Sequence, residues 1–350
     1  MPAALFPIRV TPKEAYPFLR LFFQKGSLQD STTNTKKWFY PYSYDGSTCE
    51  VWGSIVRELA ATGTSTSHRL TGAVCNSITI SPTADYIDLT ASVISRDIEL
   101  NRDTSGDTFT LPTDAPLLWR NSVTKMGNSY TAPETCDFRG IKTNLKNNIT
   151  GKFYNNDKVK RFNIGNFTGN GTVIIPWENG TTNYTDNQVL TDFLNGTLTR
   201  LSMYWIDQYL TSGYSFSVNL LCRYIQGNIG EETEISNSMN FVLVEDYSFS
   251  SSNSKISTWT IDGSDASLMT FTFPSTETLT GNVFPGDVVA TLDASAGHTI
   301  NWVIERVVDA DTVKLINNHT AGTGASGTSV IIKRQPISIG LRDEINRGIT

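Results

Sequence analysis

Histidine, closely spaced cysteine and positive charge are all in short supply in this chain, and each shortage removes a class of chemistry. The three histidines, His68, His298 and His319, lie in polar, turn-rich contexts. They form no His-x-x-x-His pair, the spacing with which one helix face offers two imidazoles to a metal ion. The four cysteines, Cys49, Cys75, Cys136 and Cys222, are 26, 61 and 86 residues apart. Without a Cys-x-x-Cys pair there is no zinc ribbon and no thioredoxin-type redox site. Buried free thiols are expected, with a Cys49–Cys75 disulfide left open. Lysine and arginine number 28 against 34 acidic residues, a net charge of -6. Direct nucleic-acid binding, which needs a basic surplus or stripe, is not expected; Lys158, Lys160 and Arg161 read as a solvated strand face. No apolar run is long enough to cross a bilayer, and residues 1 to 9 lack the basic start and apolar stretch of a secretion signal. The chain therefore reads as soluble, without Sec-type export and without a membrane partner.

The remaining candidates for chemistry are weak. Asp103, Ser105, Asp107 and Asp114 fall at positions one, three, five and twelve of a calcium loop. Such a loop needs glycine at position six, and Thr108 stands there, so a surface turn is the better reading. Gly-x-Ser-x-Gly and phosphate-loop patterns are absent. A glycosidase needs two carboxylates about 5 to 10 Å apart, and Glu178, Asp186 and Asp192 stand out no more than any other acids. No catalytic, cofactor-binding or metal residue is assigned, and no cofactor is expected.

What is abundant is small and polar. Threonine, serine and asparagine number 45, 33 and 27, together 105 of the 350 residues. Threonine suits a pleated surface through its branched Cβ, and asparagine and serine suit turns by bonding the local backbone. The balance points to a β-rich fold with long loops. Seven Asn-x-Ser/Thr sequences, at Asn148, Asn166, Asn170, Asn179, Asn183, Asn195 and Asn318, follow from that composition and are taken as turn residues. The length allows two or three domains.

Along the chain, Thr11-Pro12-Lys13-Glu14 has the residues of a capping box, with Pro17 expected to interrupt or kink the helix it starts. The cluster Phe18, Leu21, Phe22 and Phe23 is too apolar for a free surface and is expected at an assembly contact. The aromatic run Trp38, Tyr40, Tyr42 and Tyr44 reads as core or interface, with stacking against a glycan as the functional alternative. Strand patterns occupy 77–81, 86–95, 108–111, 172–177, 197–205, 214–225 and 240–244. One further helix is predicted after Thr185, with Val189, Leu190, Phe193 and Leu194 at helical spacing and Asn195-Gly196 as its stop. The fold expected is all-β: an antiparallel, jelly-roll-like sandwich over 1–247 with one or two short helices, and a separate small barrel.

That barrel is expected over 259–336, after a Ser-rich linker at 248–258. A tail at 337–350 carries Ile337, Ile339, Leu341 and Ile345, expected to dock on a neighbour. The opening Gly286-Asp287-Val288, the strand ending Val307-Val308-Asp309-Ala310 and the answering Thr312-Val313-Lys314-Leu315 carry a resemblance. Residues 284–334 resemble the small barrel modules, of Src-homology-three-like type, found in structural proteins of tailed bacteriophages. The resemblance implies a non-enzymatic virion protein of the tail, neck or head-accessory region, with other virion proteins and copies of itself as partners. A jelly-roll capsid protein, a receptor protein binding a host surface glycan and a secreted glycan hydrolase are the alternatives.

Overall fold

The computed structural model describes residues 2–24, 26–29, 36–41, 52–61, 64–82, 85–102, 116–128, 134–136, 138–153, 159–176, 186–206, 215–231, 235–250, 256–261, 264–265, 267–274, 278–279, 283–284, 286–291, 301–315, 325–328 and 330–342. In chain order, residues 3–121 form β1 (Ala3–Arg9), α1 (Pro12–Phe23), β2 (Gly26–Gln29), β3 (Lys36–Phe39), β4 (Gly53–Ala61), β5 (Thr64–Pro82), β6 (Ile87–Arg102) and a single 3-10 turn. Residues 122–243 form β7 (Ser122–Asn128), β8 (Glu134–Thr135), β9 (Gly140–Lys146), β10 (Thr150–Phe153), β11 (Val159–Asn163), β12 (Thr168–Pro176), α2 (Asp186–Asn195), β13 (Leu198–Ile206), β14 (Ser215–Glu231) and β15 (Ile235–Leu243). Then follow β16 (Asp246–Ser250), β17 (Thr258–Ile261), β18 (Leu268–Thr272), β19 (Val288–Thr291), β20 (Asn301–Val307), β21 (Thr312–Leu315), β22 (Ala325–Gly327), β23 (Val330–Arg334) and β24 (Ile337–Arg342). The protein is all-β, with two short helices among the described residues, and its antiparallel sheets curl into half-barrels. The chain divides into two compact units, residues 1–25, 42–121 and 140–171, and residues 26–41, 122–139 and 172–350.

In the first unit the long strands β5 and β6 pair from Ser67↔Arg102 to Pro82↔Ile87, and β1 lines the far side of β6. The other edge of β5 is shared, by β4 along its first half and by β9 at Ser77–Ile80. Helix α1 packs on β5. Its start follows the sequence: the Thr11 hydroxyl accepts a hydrogen bond from the Glu14 N–H (3.2 Å), and Pro12 opens the first turn, where a missing N–H costs nothing. Pro17 does not end it. The ring lies exposed and one backbone bond is lost, while Ala15, Leu19 and Phe22, buried on the opposite face, hold the helix through to Phe23. Gln24 stops it in the left-handed region, φ 62°, with its side-chain amide bonded to the Leu21 carbonyl (2.6 Å). A second apolar cluster, Val74, Ile94, Ile149, Val159, Phe162 and Ile164, lies where the hairpin β10–β11 meets the strands.

The second unit is built on β14. One edge pairs with β13 from Ile206↔Ser215 to Leu198↔Arg223. The opposite edge is shared between β24, on Ser215–Leu220, and β15, on Cys222–Glu231. Leu221 stands at the seam: its N–H donates to the Pro336 carbonyl and its carbonyl accepts from the Val244 N–H, both at 3.0 Å. The chain thus leaves this sheet after Leu243, opposite Cys222, builds β16 to β23, and re-enters at Ile337, opposite Leu220, with Leu221 alone between the two places. The excursion is an eight-stranded sheet in the order β16-β23-β19-β20-β21-β18-β17-β22. It has a core of its own, with Trp259 and Trp302 (ring centroids 6.2 Å apart) among Met269, Phe271, Val289 and Ile332.

Two boundaries differ from the sequence reading. Asp246–Ser250, divided there between the sandwich and a Ser-rich linker, is the strand β16, paired with β23 from Asp246↔Arg334; residues 251–255 lie outside the described residues. Residues 337–342 are not a docking tail but β24, whose Ile337, Ile339 and Leu341 are buried in the chain's own sheet.

Candidate functional site

The side chains expected at assembly contacts are largely spent inside the chain. Leu21, Phe22 and Phe23 are at most 6 % exposed. Phe22 lies edge-on to Phe23 (4.8 Å) and its carbonyl accepts from the Asn147 side-chain amide (2.6 Å). Phe18 is half-buried against Phe6, with ring centroids 5.5 Å apart. Ile337 and Ile339 are fully buried and Leu341 nearly so, while Ile345 lies outside the described residues. The reason is the same for both groups: a helix face and a strand face that apolar are covered by the nearest sheet of the same chain. The aromatic run behaves likewise. Trp38 and Tyr40 are buried, Trp38 beside Phe284 (6.3 Å), so neither offers a ring face to a glycan; Tyr42 and Tyr44 lie outside the described residues.

The structure brings together a cluster that the sequence did not announce. Arg200 of β13, Asp287 before β19 and Arg334 at the end of β23 are at most 3 % exposed. Asp287 caps two backbone segments, accepting from the Phe284 N–H (3.0 Å) and the Gln335 N–H (2.9 Å). The Arg200 guanidinium lies 5.4 Å from the centroid of the Phe284 ring. Burial pushes the Asp287 carboxyl up to about 6, against the pull of Arg334, the two backbone N–H groups and Arg200. Burial, and then Arg334, lowers Arg200, while Asp287 opposes that shift. The cavity that Arg200, Ser202, Asn219, Asp287, Arg334 and Ser338 line is about 10 Å³. That is about one water molecule, far below the volume of a small-molecule site. The cluster therefore fastens strands to one another rather than binding a substrate. Its signal in the sequence is a charge inside an apolar strand, Arg200 within Leu198–Ile206.

Among the described residues no three His, Cys, Asp or Glu side chains are grouped to hold a metal, and no helix is long and apolar enough to cross a membrane. Cys75, Cys136 and Cys222 are buried thiols outside any disulfide, and burial raises the first and last well above the ordinary range. Asp103, Ser105, Asp107 and Asp114 lie outside the described residues. Large apolar side chains do reach the surface elsewhere, at Leu5, Leu100 and Phe153, each more than half exposed.

The model of the phage tail tube protein family matches residues 22–243. The chain belongs to the phage tail tube protein family. It is a structural protein of the bacteriophage tail and a component of the virion, where tail tube proteins assemble as oligomers with other virion proteins. Among curated proteins none matches the chain. The matched residues end at Leu243, the last residue of β15, where the chain leaves the β14 sheet. The eight-stranded excursion, which carried the likeness to small phage barrels, lies beyond the match.

Proposed function

We propose that this tail tube protein is a non-enzymatic building block whose principal partner is a further copy of itself. A tube repeats one contact: a head-to-tail interface between identical subunits gives a ring if the rotation closes and an open filament if it does not. The observation that carries the reading is the family match over residues 22–243, which spans both units. The surface agrees with it. Strand β1 pairs only with β6 among the described strands, so its other edge offers free backbone groups, and Leu5 projects from it at 64 % exposure. Leu100 on β6 and Phe153 on β10 extend the exposed apolar material of the same unit. In place of the buried Phe22 and Ile337 groups, these side chains are the proposed contacts. Electron microscopy of the purified chain across protein and salt concentrations tests the reading. Rings or tubes are expected, together with no turnover of polysaccharide or peptidoglycan. A chain that stays monomeric throughout, or one that hydrolyses glycan, overturns it.

A further inference from the structure

Helix α2 is held to the second unit's sheet by an unusual anchor. Its sequence places Val189 and Asp192 three residues apart, hence on one face, and both are buried, Val189 fully and Asp192 to 8 % exposure. Leu194, on the outer side, is 72 % exposed. A helix normally seats itself with apolar groups at both positions, and this one, which packs on β14, uses a carboxyl. The C-terminal end is well fixed: Gly196 sits in the left-handed region at φ 62°, its N–H bonded to the Phe193 carbonyl, and the Thr197 N–H reaches the Asp192 carbonyl (2.8 Å). The side chain is less well served. The Thr197 hydroxyl bonds the carboxyl, yet Oδ2 is buried with no hydrogen-bond partner.

Among the described residues no cation compensates a charge there. Among the described residues the titratable group tied to Asp192 is Tyr224 of β14, itself beside Cys222 and Cys136; all are buried, and Asp192 and both cysteines disfavour an anion at Tyr224. Tyr224 spends its hydroxyl on the Met126 sulfur (3.6 Å). An ionised carboxylate with a buried, unbonded oxygen costs far more than the neutral acid in the same place.

We propose that α2 is a proton-controlled clasp: with a proton on Asp192 the helix stays seated on β14, and loss of that proton loosens it. Burial holds the carboxyl at about 6 against an ordinary 3.8, so the seated helix keeps the proton that a released one gives up. The helix is then tight in mildly acid solution and poised to lift at neutral pH.

Amide hydrogen exchange of the full chain at pH 5 and pH 8, corrected for intrinsic rates, tests this. The linkage predicts that protection of 188–195 falls about tenfold between the two, while β13 and β14 hold theirs. In Asp192→Asn, which cannot ionise, the protection of α2 should be equal at both pH values, and Asp192→Leu should behave the same way. Three results overturn the proposal: a native α2 whose protection ignores pH, a pH dependence that survives in Asp192→Asn, or a loss shared equally by β13 and β14. The native profile alone decides the matter if both variants fold poorly.

Discussion

Gly286 lies flat against the ring of Tyr40: a Cβ added at the glycine would stand 2.2 Å from the ring Cγ, and the glycine itself holds φ +96°. Two independent reasons thus exclude any other residue, one steric and one conformational. Gly286→Ala should cost roughly 2 to 4 kcal/mol, the sum of overpacking and a left-handed backbone without glycine. Thermal or urea unfolding measures it, and a Tyr40→Ala partner change should recover the steric part alone. An alanine variant as stable as the native chain would show that the ring moves aside freely.

The buried acid Asp287 should tilt stability with pH. Its folded carboxyl sits at about 6 and an ordinary one at 3.8, so the folded state binds the proton more firmly. The corresponding stabilisation is complete below 3.8 and is lost as pH rises through 6. Compared with Asp287→Asn, the native chain should lose about 2 kcal/mol of unfolding free energy between pH 4 and pH 7. Denaturant titrations at the two pH values give this double difference. An equal change for the two proteins would mean that Arg200 and Arg334 cancel the burial, and a reversed one that they outweigh it.

Core and contact should separate cleanly at two apolar positions. Phe22 is 1 % exposed, and Phe22→Ala is expected to destabilise the isolated subunit by roughly 3 to 5 kcal/mol. Leu5, at 64 % exposure, should tolerate Leu5→Asp with little change in unfolding but with loss of polymer in sedimentation. A Leu5→Asp protein that polymerises normally removes β1 from the proposed interface.

Residues 244–336 leave and re-enter the sheet beside Leu221 and carry their own core. Expressed alone, this segment should unfold cooperatively and keep the tertiary signal of the Trp259 and Trp302 pair. Near-ultraviolet circular dichroism during heating reports it. A broad, featureless melt would mean that the segment depends on Arg200 and Tyr40 for its structure.

Local elements were legible in the sequence, and distant pairings were not. Thr11 through Glu14 fixed the start of α1, and Asn195-Gly196 fixed the stop of α2, because capping acts within a few residues; of the apolar stripe read in α2, Val189 is buried but Leu194 faces outward and Asp192 takes the inner position. The alternation at 77–81, 86–95 and 197–205 likewise placed parts of β5, β6 and β13. By contrast, the role of Ile337 depends on Leu220, more than a hundred residues earlier, and nothing near Ile337 distinguishes a returning strand from a free apolar tail. Asp192 was visible only as one acid among many. What makes it unusual is the sheet beneath α2, which its own neighbours in sequence do not encode.

The seam at Leu221 also sets how the protein bears load. Tension applied to the eight-stranded segment arrives at the sheet through Val244 and Pro336, both bonded to that one residue. From there β15 and β24 run away along β14 in opposite directions, Cys222↔Leu243 opening one row and Leu220↔Ile337 the other. A pull away from the sheet would unzip each row one rung at a time, beginning in the middle of β14, rather than shear all the rungs together. The charged cluster of Arg200, Asp287 and Arg334 stands beside that starting point, where a rivet resists peeling best.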